Sequence, residues 1–282
     1  MVKLSAVQLM SVPDVSINLA YIDTQLAKLA AQYADVEQHL VVLPECCLFF
    51  GGQDQQQLQV AQHSFADQSL KNALSALAKK HQLYLVAGSI PIYVPEANKF
   101  TNTSCFFSAT GELLNQYDKI HLFDVNVDDN ERCYRESRYT QAGKHSSVTP
   151  LAFATIGMTV CYDLRFPELF RQLTRDGATI ICLPAAFTQV TGQAHWLPLI
   201  QARAIENQVY IIAAGQQGVH ANGRETWGHS MIVDPWGRVL STISEGLGTI
   251  SADYSYQVVQ QVRADIPVAE HNQFITQLKN SG

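Results

Sequence analysis

Three residues with chemistry to offer stand at the ends of apolar runs in this chain: Cys161, Glu45 and Lys119. Cys161 follows Phe153 to Val160, which reads as a buried strand, and precedes Phe166-Pro167-Glu168 and the amphipathic Leu169 to Thr174, which reads as a helix with proline in its first turn. A thiol at such a strand-to-helix elbow faces backbone N–H groups and the positive end of a helix dipole. That setting favours thiolate and can hold a developing oxyanion, so it is a nucleophile's position. Glu45 closes the short apolar run Leu40 to Pro44, and Lys119 lies in Asp118-Lys119-Ile-His121 at the end of another strand. Taken singly, each has a bland reading, because small thiols end many core strands and charged residues at strand ends usually meet solvent. Strands that run parallel bring the residues at their carboxyl ends to one crevice, so the three could meet.

The elements that must carry them alternate in kind. Val2 to Met10 alternates apolar and polar residues and predicts a strand; Ile17 to Tyr33 has helical spacing, with Ser16 as its cap. After the run that ends at Glu45, Gly51-Gly-Gln-Asp is a turn and the Gln-rich stretch behind it has no assigned element. Ser69 to His81 is predicted helical and Leu83 to Ile92 a strand carrying Gly88. Asn102 to Ser108 and Glu112 to Ile120 pair as a hairpin around Ala109-Thr-Gly111. Phe123 to Gln141 is polar and irregular and reads as a long surface loop, of the kind that is functional or mobile in compact domains. Beyond the Cys161 elbow come a strand from Ala178 to Pro184, a helix from Ala194 to Glu206, a strand from Gln208 to Ala214 and a Gly-rich loop from Gly215 to Gly228. His229 to Asp234 and Val239 to Ile243 bracket Pro235-Trp-Gly237 as a hairpin, Gly248 to Asp253 adds a strand, and Tyr256 to Asp265 a helix. The sum is an α/β chain with mixed sheets.

The chain has 282 residues, 47% of them hydrophobic, with a formal net charge of -6, enough to bury one large core; it is read as a single domain over residues 1–282. The mild acidity and the lack of a Lys/Arg run argue against nucleic acid and against an anionic membrane surface, and point to a small-molecule substrate. Met1 leads straight into a strand without a signal-peptide pattern, and no apolar run approaches membrane-spanning length, so the expected location is cytoplasmic. The six cysteines show no metal or redox spacing and are expected as free thiols, and in that setting the sequon Asn102-Thr-Ser carries no meaning. The nine histidines show no His-Glu-x-x-His pair, and no phosphate-binding or dinucleotide fingerprint is present.

The blocks Leu43-Pro-Glu45, Tyr117-Asp-Lys-Ile-His-Leu-Phe123, Val160-Cys-Tyr-Asp-Leu-Arg-Phe-Pro-Glu-Leu169, Pro184-Ala-Ala-Phe187, Ala194-His-Trp196, Ala202-Arg-Ala-Ile-Glu206 and Gly228-His-Ser-Met-Ile-Val-Asp-Pro-Trp-Gly237 span most of the chain. In their order and content they resemble the nitrilase (carbon–nitrogen hydrolase) superfamily. The resemblance implies an α-β-β-α sandwich that forms a homodimer or higher homo-oligomer, a Glu-Lys-Cys catalytic set at Glu45, Lys119 and Cys161, and neither a metal nor another cofactor. Cleaving an amide C–N bond takes a nucleophile, a proton carrier and donors for the oxyanion. The implied roles are Cys161 as nucleophile, Glu45 as base and then acid, and Lys119 with the backbone N–H of Tyr162 around the oxyanion. Unperturbed Glu and Cys differ by ~4 pKa units, ~5.7 kcal/mol against proton transfer. Burial is therefore expected to raise Glu45, while Lys119 and the elbow lower Cys161, inside a closed and mostly dry pocket. A second glutamate often orients this site in the family. Glu131 and Glu136 compete for that place, and Tyr134-Arg-Glu-Ser137 matches the family's short Glu-Ser stretch better, which selects Glu136.

Within the superfamily the text is most similar to the Nit group, which implies a substrate with the gamma-amide of a 2-oxoglutaryl-type acid. Arg165, four residues past Cys161, is then the natural clamp for a carboxylate, or else an ion-pair partner of Glu168 or Asp163. Phe187 and Thr191 are expected to line the pocket, while His195-Trp196 is assigned to core packing. Met231-Ile-Val-Asp-Pro-Trp-Gly237 and Ser244-Glu-Gly-Leu-Gly248 resemble amidases of deaminated glutathione more than omega-amidases, and the Gly-rich loop from Gln216 to Trp227 could admit a Cys-Gly leaving group. The alternatives are an omega-amidase acting on 2-oxoglutaramate, a nitrile hydrolase, and a non-catalytic binding protein on the same fold; the intact Glu45, Lys119 and Cys161 speak against the last.

Overall fold

Two sheets face each other and helices cover their outer sides, in a computed structural model that describes residues 1–129, 133–275 and 278–279. The first half contains β1 (Val2–Gln8), α1 (Val15–Gln32), β2 (Gln38–Val42), α2 (Asp54–His63), α3 (Ser69–His81), β3 (Tyr84–Val86), β4 (Ile90–Val94), β5 (Lys99–Phe107) and β6 (Leu113–Asp118). Next come β7 (Asp124–Asn126), β8 (Cys133–Arg135), β9 (Val148–Pro150), β10 (Thr155–Met158), α4 (Pro167–Arg175), β11 (Ile180–Ala185) and α5 (Gln189–Asn207). The chain closes with β12 (Tyr210–Gly215), β13 (Gln217–Val219), β14 (Glu225–Trp227), β15 (Ser230–Val233), β16 (Val239–Ile243), β17 (Gly248–Tyr254) and α6 (Tyr256–Asp265).

One sheet runs β17-β1-β2-β3-β5-β4, with β6 on β5, and the other β16-β15-β12-β11-β10-β9. Each has a parallel centre, β1-β2-β3 in one and β10-β11-β12 in the other, flanked by antiparallel strands. The period of two along each central strand explains the layers. In β2, Leu40 and Val42 point into the core shared by both sheets, while Val41 and the following Leu43 join Leu26 and Leu29 of α1 and Leu74 of α3 on the outer side. Both faces are covered, which is why such strands read as unbroken apolar runs. Each Leu or Val so buried contributes ~1.5–3 kcal/mol. The mixed α/β sandwich is thus the expected one.

Local departures from the sequence reading have local causes. The cap of α1 is Asp14 and not Ser16: its carboxylate accepts from Ile17 N at 3.0 Å and takes the Ser16 hydroxyl as well. The Gln-rich stretch is α2, whose low apolar content hid it; it packs on β4 and β5. The strand from Leu83 to Ile92 is two strands broken at Gly88, which has φ +58 and where a Cβ would run into the carbonyl oxygen of Pro44. That contact holds the turn beside Glu45. α5 begins at Gln189, before the expected Ala194, and keeps Pro198 inside it. Described residues of the two long loops also pair as strands, β7 with β8 and β13 with β14.

Candidate active site

The ends of β2 and β10 lie in different sheets and meet across the sandwich. Leu43 N still pairs with Val86 O at 3.0 Å, after which the chain turns and lays Glu45 over the sheet's edge, with Cys46 at φ +52. Past β10, Cys161 has φ +47, a left-handed conformation that costs a non-glycine residue ~1–3 kcal/mol and tends to persist where it aims a side chain. Cys161 opens a 3-10 turn through Arg165, and α4 follows with Pro167 in its first turn. The elbow is therefore sharper than a strand running directly into an α-helix.

Asp163 ties this elbow to the strand end that carries Lys119. Fully buried, it accepts from Val160 N at 2.8 Å, the Tyr117 hydroxyl at 2.8 Å and His121 N at 3.2 Å, and it holds the His121 ring at 2.7 Å. His121 in turn stacks flat on Phe166 at 3.7 Å. Lys119 itself is fixed by its backbone, N to Asn102 O at 2.9 Å and O to Gly143 N at 2.8 Å. The sequence block from Tyr117 to His121 and the block from Val160 to Phe166 are thus two halves of one support.

The side chains meet in a small buried cluster, with Lys119 2%, Glu45 5% and Cys161 8% exposed. Lys119 Nζ donates to Glu45 Oε1 at 2.9 Å and to both oxygens of Glu136, at 3.1 and 2.9 Å. Glu45 Oε2 accepts the backbone N–H of Ala186 at 2.9 Å, and Cys161 lines the same cavity. Glu136, in the 3-10 turn after β8, accepts Phe123 N at 2.7 Å. The choice of Glu136 thus places a second carboxylate against Lys119; Glu131 lies outside the described residues. Phe123 and the described residues from Cys133 to Thr140 are consequently less a surface loop than part of the wall of this site, with Tyr134 buried.

Sequence reasoning missed Asn102. Its Nδ2 donates to Glu45 Oε1 at 2.9 Å and to Glu136 Oε1 at 3.2 Å, so one amide holds both carboxylates. A signal existed: Asn102 sits between Phe100 and Phe106 in a strand otherwise buried along nearly its full length, where a polar side chain needs a partner.

The protonation expectation is corrected. Burial alone would raise Glu45, but Lys119, the Cys161 thiol and Ala186 N–H together hold it below its ordinary value, so it is a carboxylate at rest. Burial and the facing Glu45 charge push the Cys161 thiol well up, against the pull of Lys119. The two carboxylates drive Lys119 well above its usual range in spite of burial. A cluster holding two carboxylates and one ammonium is already anionic, and a thiolate would add a second uncompensated charge in a low dielectric. Cys161 therefore rests as a thiol facing the Glu45 charge. This suits general-base attack better than a standing thiolate would.

A cavity of about 110 Å³ leads to the cluster. Phe187, Thr191 and Tyr162 line it, as do Phe50, Tyr134 and Arg224. Arg165 is placed beside it and not in its wall: its guanidinium lies 5.1 Å from the Phe187 ring and 3.2 Å from His195 Nδ1, and it pairs with neither Glu168 nor Asp163. Trp196 is core, 1% exposed, with its indole N–H on His229 O at 2.8 Å.

A buried thiol, a carboxylate and a lysine between two glutamates, set at the meeting of two sheets in a four-layer sandwich, are the groups that hydrolysis of a carbon–nitrogen bond calls for. The carbon-nitrogen hydrolase family model matches residues 3–264, and the chain belongs to that family. It is 39% identical over 272 residues to the deaminated glutathione amidase of Yersinia enterocolitica, covering 96% of this chain and 93% of that one. It is 33% identical over 276 residues to an omega-amidase of Saccharomyces cerevisiae, covering 97% of this chain and 94% of that one. The crystal structure of Saccharomyces cerevisiae Nit3, a member of branch 10 of the nitrilase superfamily, superposes with a TM-score of 0.85 at 31% identity and 97% coverage of both chains.

Proposed function

We propose that this enzyme hydrolyses the gamma-amide bond of deaminated glutathione, N-(4-oxoglutaryl)-cysteinylglycine, to 2-oxoglutarate and Cys-Gly. The observation that carries the chemistry is the buried cluster of Cys161, Glu45 and Lys119, with Lys119 Nζ on Glu45 Oε1 at 2.9 Å. The similarity to deaminated glutathione amidases over nearly the whole chain supports the substrate.

In this reading Cys161 Sγ attacks the amide carbon as Glu45 takes the thiol proton. The oxyanion forms where a Lys119 N–H, turned from a carboxylate, and the Tyr162 backbone N–H can hold it; one such donor contributes ~3–4 kcal/mol. Glu45 passes its proton to the leaving nitrogen, the C–N bond breaks, and a thioester remains on Cys161. Glu45, again a carboxylate, takes a proton from the attacking water, and collapse of the second tetrahedral species breaks the C–S bond and returns that proton to sulfur. Glu136 keeps Lys119 charged and aimed. Arg165, with Phe187 and Thr191, receives the oxo-acid half; Arg165 would swing from Phe187 into the cavity to do so.

The substrate is a small molecule, and nucleic acid and membrane have no part. Residues 1–282 act as one catalytic domain in a homodimer or higher homo-oligomer, and exposed Val190, Leu197 and Ile205 along α5 are in keeping with a helix-mediated contact. Among the described residues no helix is long and apolar enough to cross a membrane, and a cytoplasmic location suits six free cysteines.

The test is kcat/KM for deaminated glutathione beside 2-oxoglutaramate, with Cys161→Ala as the blank. A large preference for deaminated glutathione is expected. Preference for 2-oxoglutaramate makes the protein an omega-amidase, the reading the yeast relative supports. Turnover of neither amide above the blank overturns both.

A further inference from the structure

The turn that carries Glu45 is strained, and part of what holds it comes from the opposite sheet. Cys46 has φ +52, a conformation that persists in a non-glycine residue only where its surroundings over-determine it. On the N–H side the turn is held by Ser89, whose Oγ accepts Cys46 N at 2.9 Å and whose carbonyl accepts Cys47 N at 3.2 Å. On the carbonyl side the partners are Gln216 and Ser11. Gln216 Nε2 donates to Glu45 O at 2.9 Å, and the Ser11 hydroxyl donates to Cys47 O at 2.9 Å. Ser89 and Ser11 belong to connections of the first sheet, whereas Gln216 follows β12 of the second.

Gln216 is fully buried, and its amide is committed at both ends. Oε1 accepts Ser11 N at 2.9 Å, and Nε2 donates to Ser11 Oγ at 2.8 Å as well as to Glu45 O. The orientation is forced, because a backbone N–H can only donate and a carbonyl can only accept. The backbone of the same residue acts on Glu45 from the other side. Gln216 N donates to Ala185 O at 2.9 Å, and the N–H of that same peptide unit, Ala186 N, donates to Glu45 Oε2 at 2.9 Å. A peptide is planar, so fixing its oxygen fixes where its N–H points. Gln216 cannot slide, since its own O accepts Gly228 N at 2.9 Å and Gln217 N reaches Leu9 O at 2.7 Å.

We propose that Gln216 is the positioning residue of the proton carrier: its side chain fixes the main chain from which Glu45 projects, and its backbone fixes the peptide whose N–H meets the carboxylate. The inference rests on the reading of Glu45 as base and then acid. Gln216 does not line the cavity and acts only through Glu45. A carboxylate that takes a proton from sulfur and hands it to nitrogen must be aimed at two places in turn, and a misplacement of ~1 Å in such a step costs up to ~100-fold. Lys119 and Asn102 hold the charge of Glu45, while Gln216 holds its place.

The test measures kcat and KM of the full-length enzyme on deaminated glutathione and 2-oxoglutaramate, with Cys161→Ala as the blank and a denaturant titration alongside. Gln216→Met keeps the side chain's length and removes its amide. Ser11→Ala removes a buried hydroxyl of the same network and leaves the Gln216 bond to Glu45 in place. Both should lower the unfolding midpoint. Gln216→Met alone should lower kcat, by ~10–100-fold on whichever amide is turned over, with KM within ~2-fold of the wild type. If Gln216→Met does not fold, Gln216→Glu, which keeps the shape and the acceptor for Ser11 N, reads the same split. An unchanged kcat in a folded Gln216 variant overturns the proposal, and so does an equal kcat loss in Ser11→Ala or a loss confined to KM. Failure of both Gln216 variants to fold while Ser11→Ala folds also overturns it, because the residue then serves the fold alone. In each of these cases a large kcat loss in Glu45→Gln leaves the reading of Glu45 standing. Wild-type kcat in Glu45→Gln, or turnover of neither amide above the blank, sinks that reading and the positioning role with it.

Discussion

Asn102 offers a direct test of how the site sets its own proton affinities. Asn102→Leu keeps the side chain's branching and length while removing the N–H donor that reaches Glu45 Oε1 at 2.9 Å and Glu136 Oε1 at 3.2 Å. A hydrogen bond to a charged acceptor contributes ~1.5–3 kcal/mol. The shorter arm lies on Glu45, so ~1–2 kcal/mol of carboxylate stabilisation is lost there, which is ~0.7–1.5 pKa units upward. Glu45 is held below its ordinary value in the wild type and works as a base only when ionised, so activity is present above its pKa and lost as pH falls through it. The acidic limb of kcat/KM, which reports the free enzyme, should therefore move up by ~1 unit, while the plateau at higher pH keeps most of its height. The assay is amine release from deaminated glutathione across about pH 4 to 8 with a thermal melt alongside. A plateau that collapses while the limb stays in place would show that Asn102 only fills space, and a limb moving to lower pH would refute the charge argument outright.

Glu45→Gln removes the proton carrier without changing shape and should lower kcat by ~10²–10⁴-fold in a steady-state assay; a smaller loss would mean another group takes the thiol proton. Asp163→Asn breaks the buried tie between the Cys161 elbow and His121 and should cost ~2–4 kcal/mol of folding free energy in a denaturant titration. Gly192→Ala places a methyl against the side chain of Trp227 and should push the β13–β14 hairpin outward; kcat/KM for deaminated glutathione then falls more than that for 2-oxoglutaramate. Burial lowers both His39 and His220 to about 4, below their unfolded value. Their contribution is full above ~6.5 and drains as pH drops toward 4, ~2–3 kcal/mol each, and His220→Gln should flatten that slope in melts taken between the two pH values.

The central strands were legible because both faces are covered, and a run such as Leu40 to Leu43 needs no partner in view to declare itself. Cys161, Lys119 and Glu45 were legible as residue types out of place at strand ends, and their sequence blocks tied them to a family. Less of the support could be read. α2 is glutamine-rich and earns its helix from packing on β4 and β5, while Asn102 acquires its meaning only from carboxylates 57 and 34 residues away. The direction of the proton equilibrium is not legible in the sequence, because it depends on a count of buried charges. Lys119 faces two carboxylates, and a sum over three neighbours is invisible until all three have places.

Glu45 and Cys161 come from different sheets, and Glu45 is closed off by Ala186 N–H from 141 residues further along the chain. No stretch of sequence short enough to fold by itself holds both the thiol and its base. During synthesis or refolding the cysteine stays an ordinary, unprimed thiol until the two sheets dock, one of the late, long-range events of a high-contact-order fold. Recovery of activity in a refolding experiment thus timestamps the closing of the sandwich, later than the return of secondary structure. For the cell the same delay is a safeguard, since an unfinished or damaged copy carries no armed nucleophile among its exposed thiols.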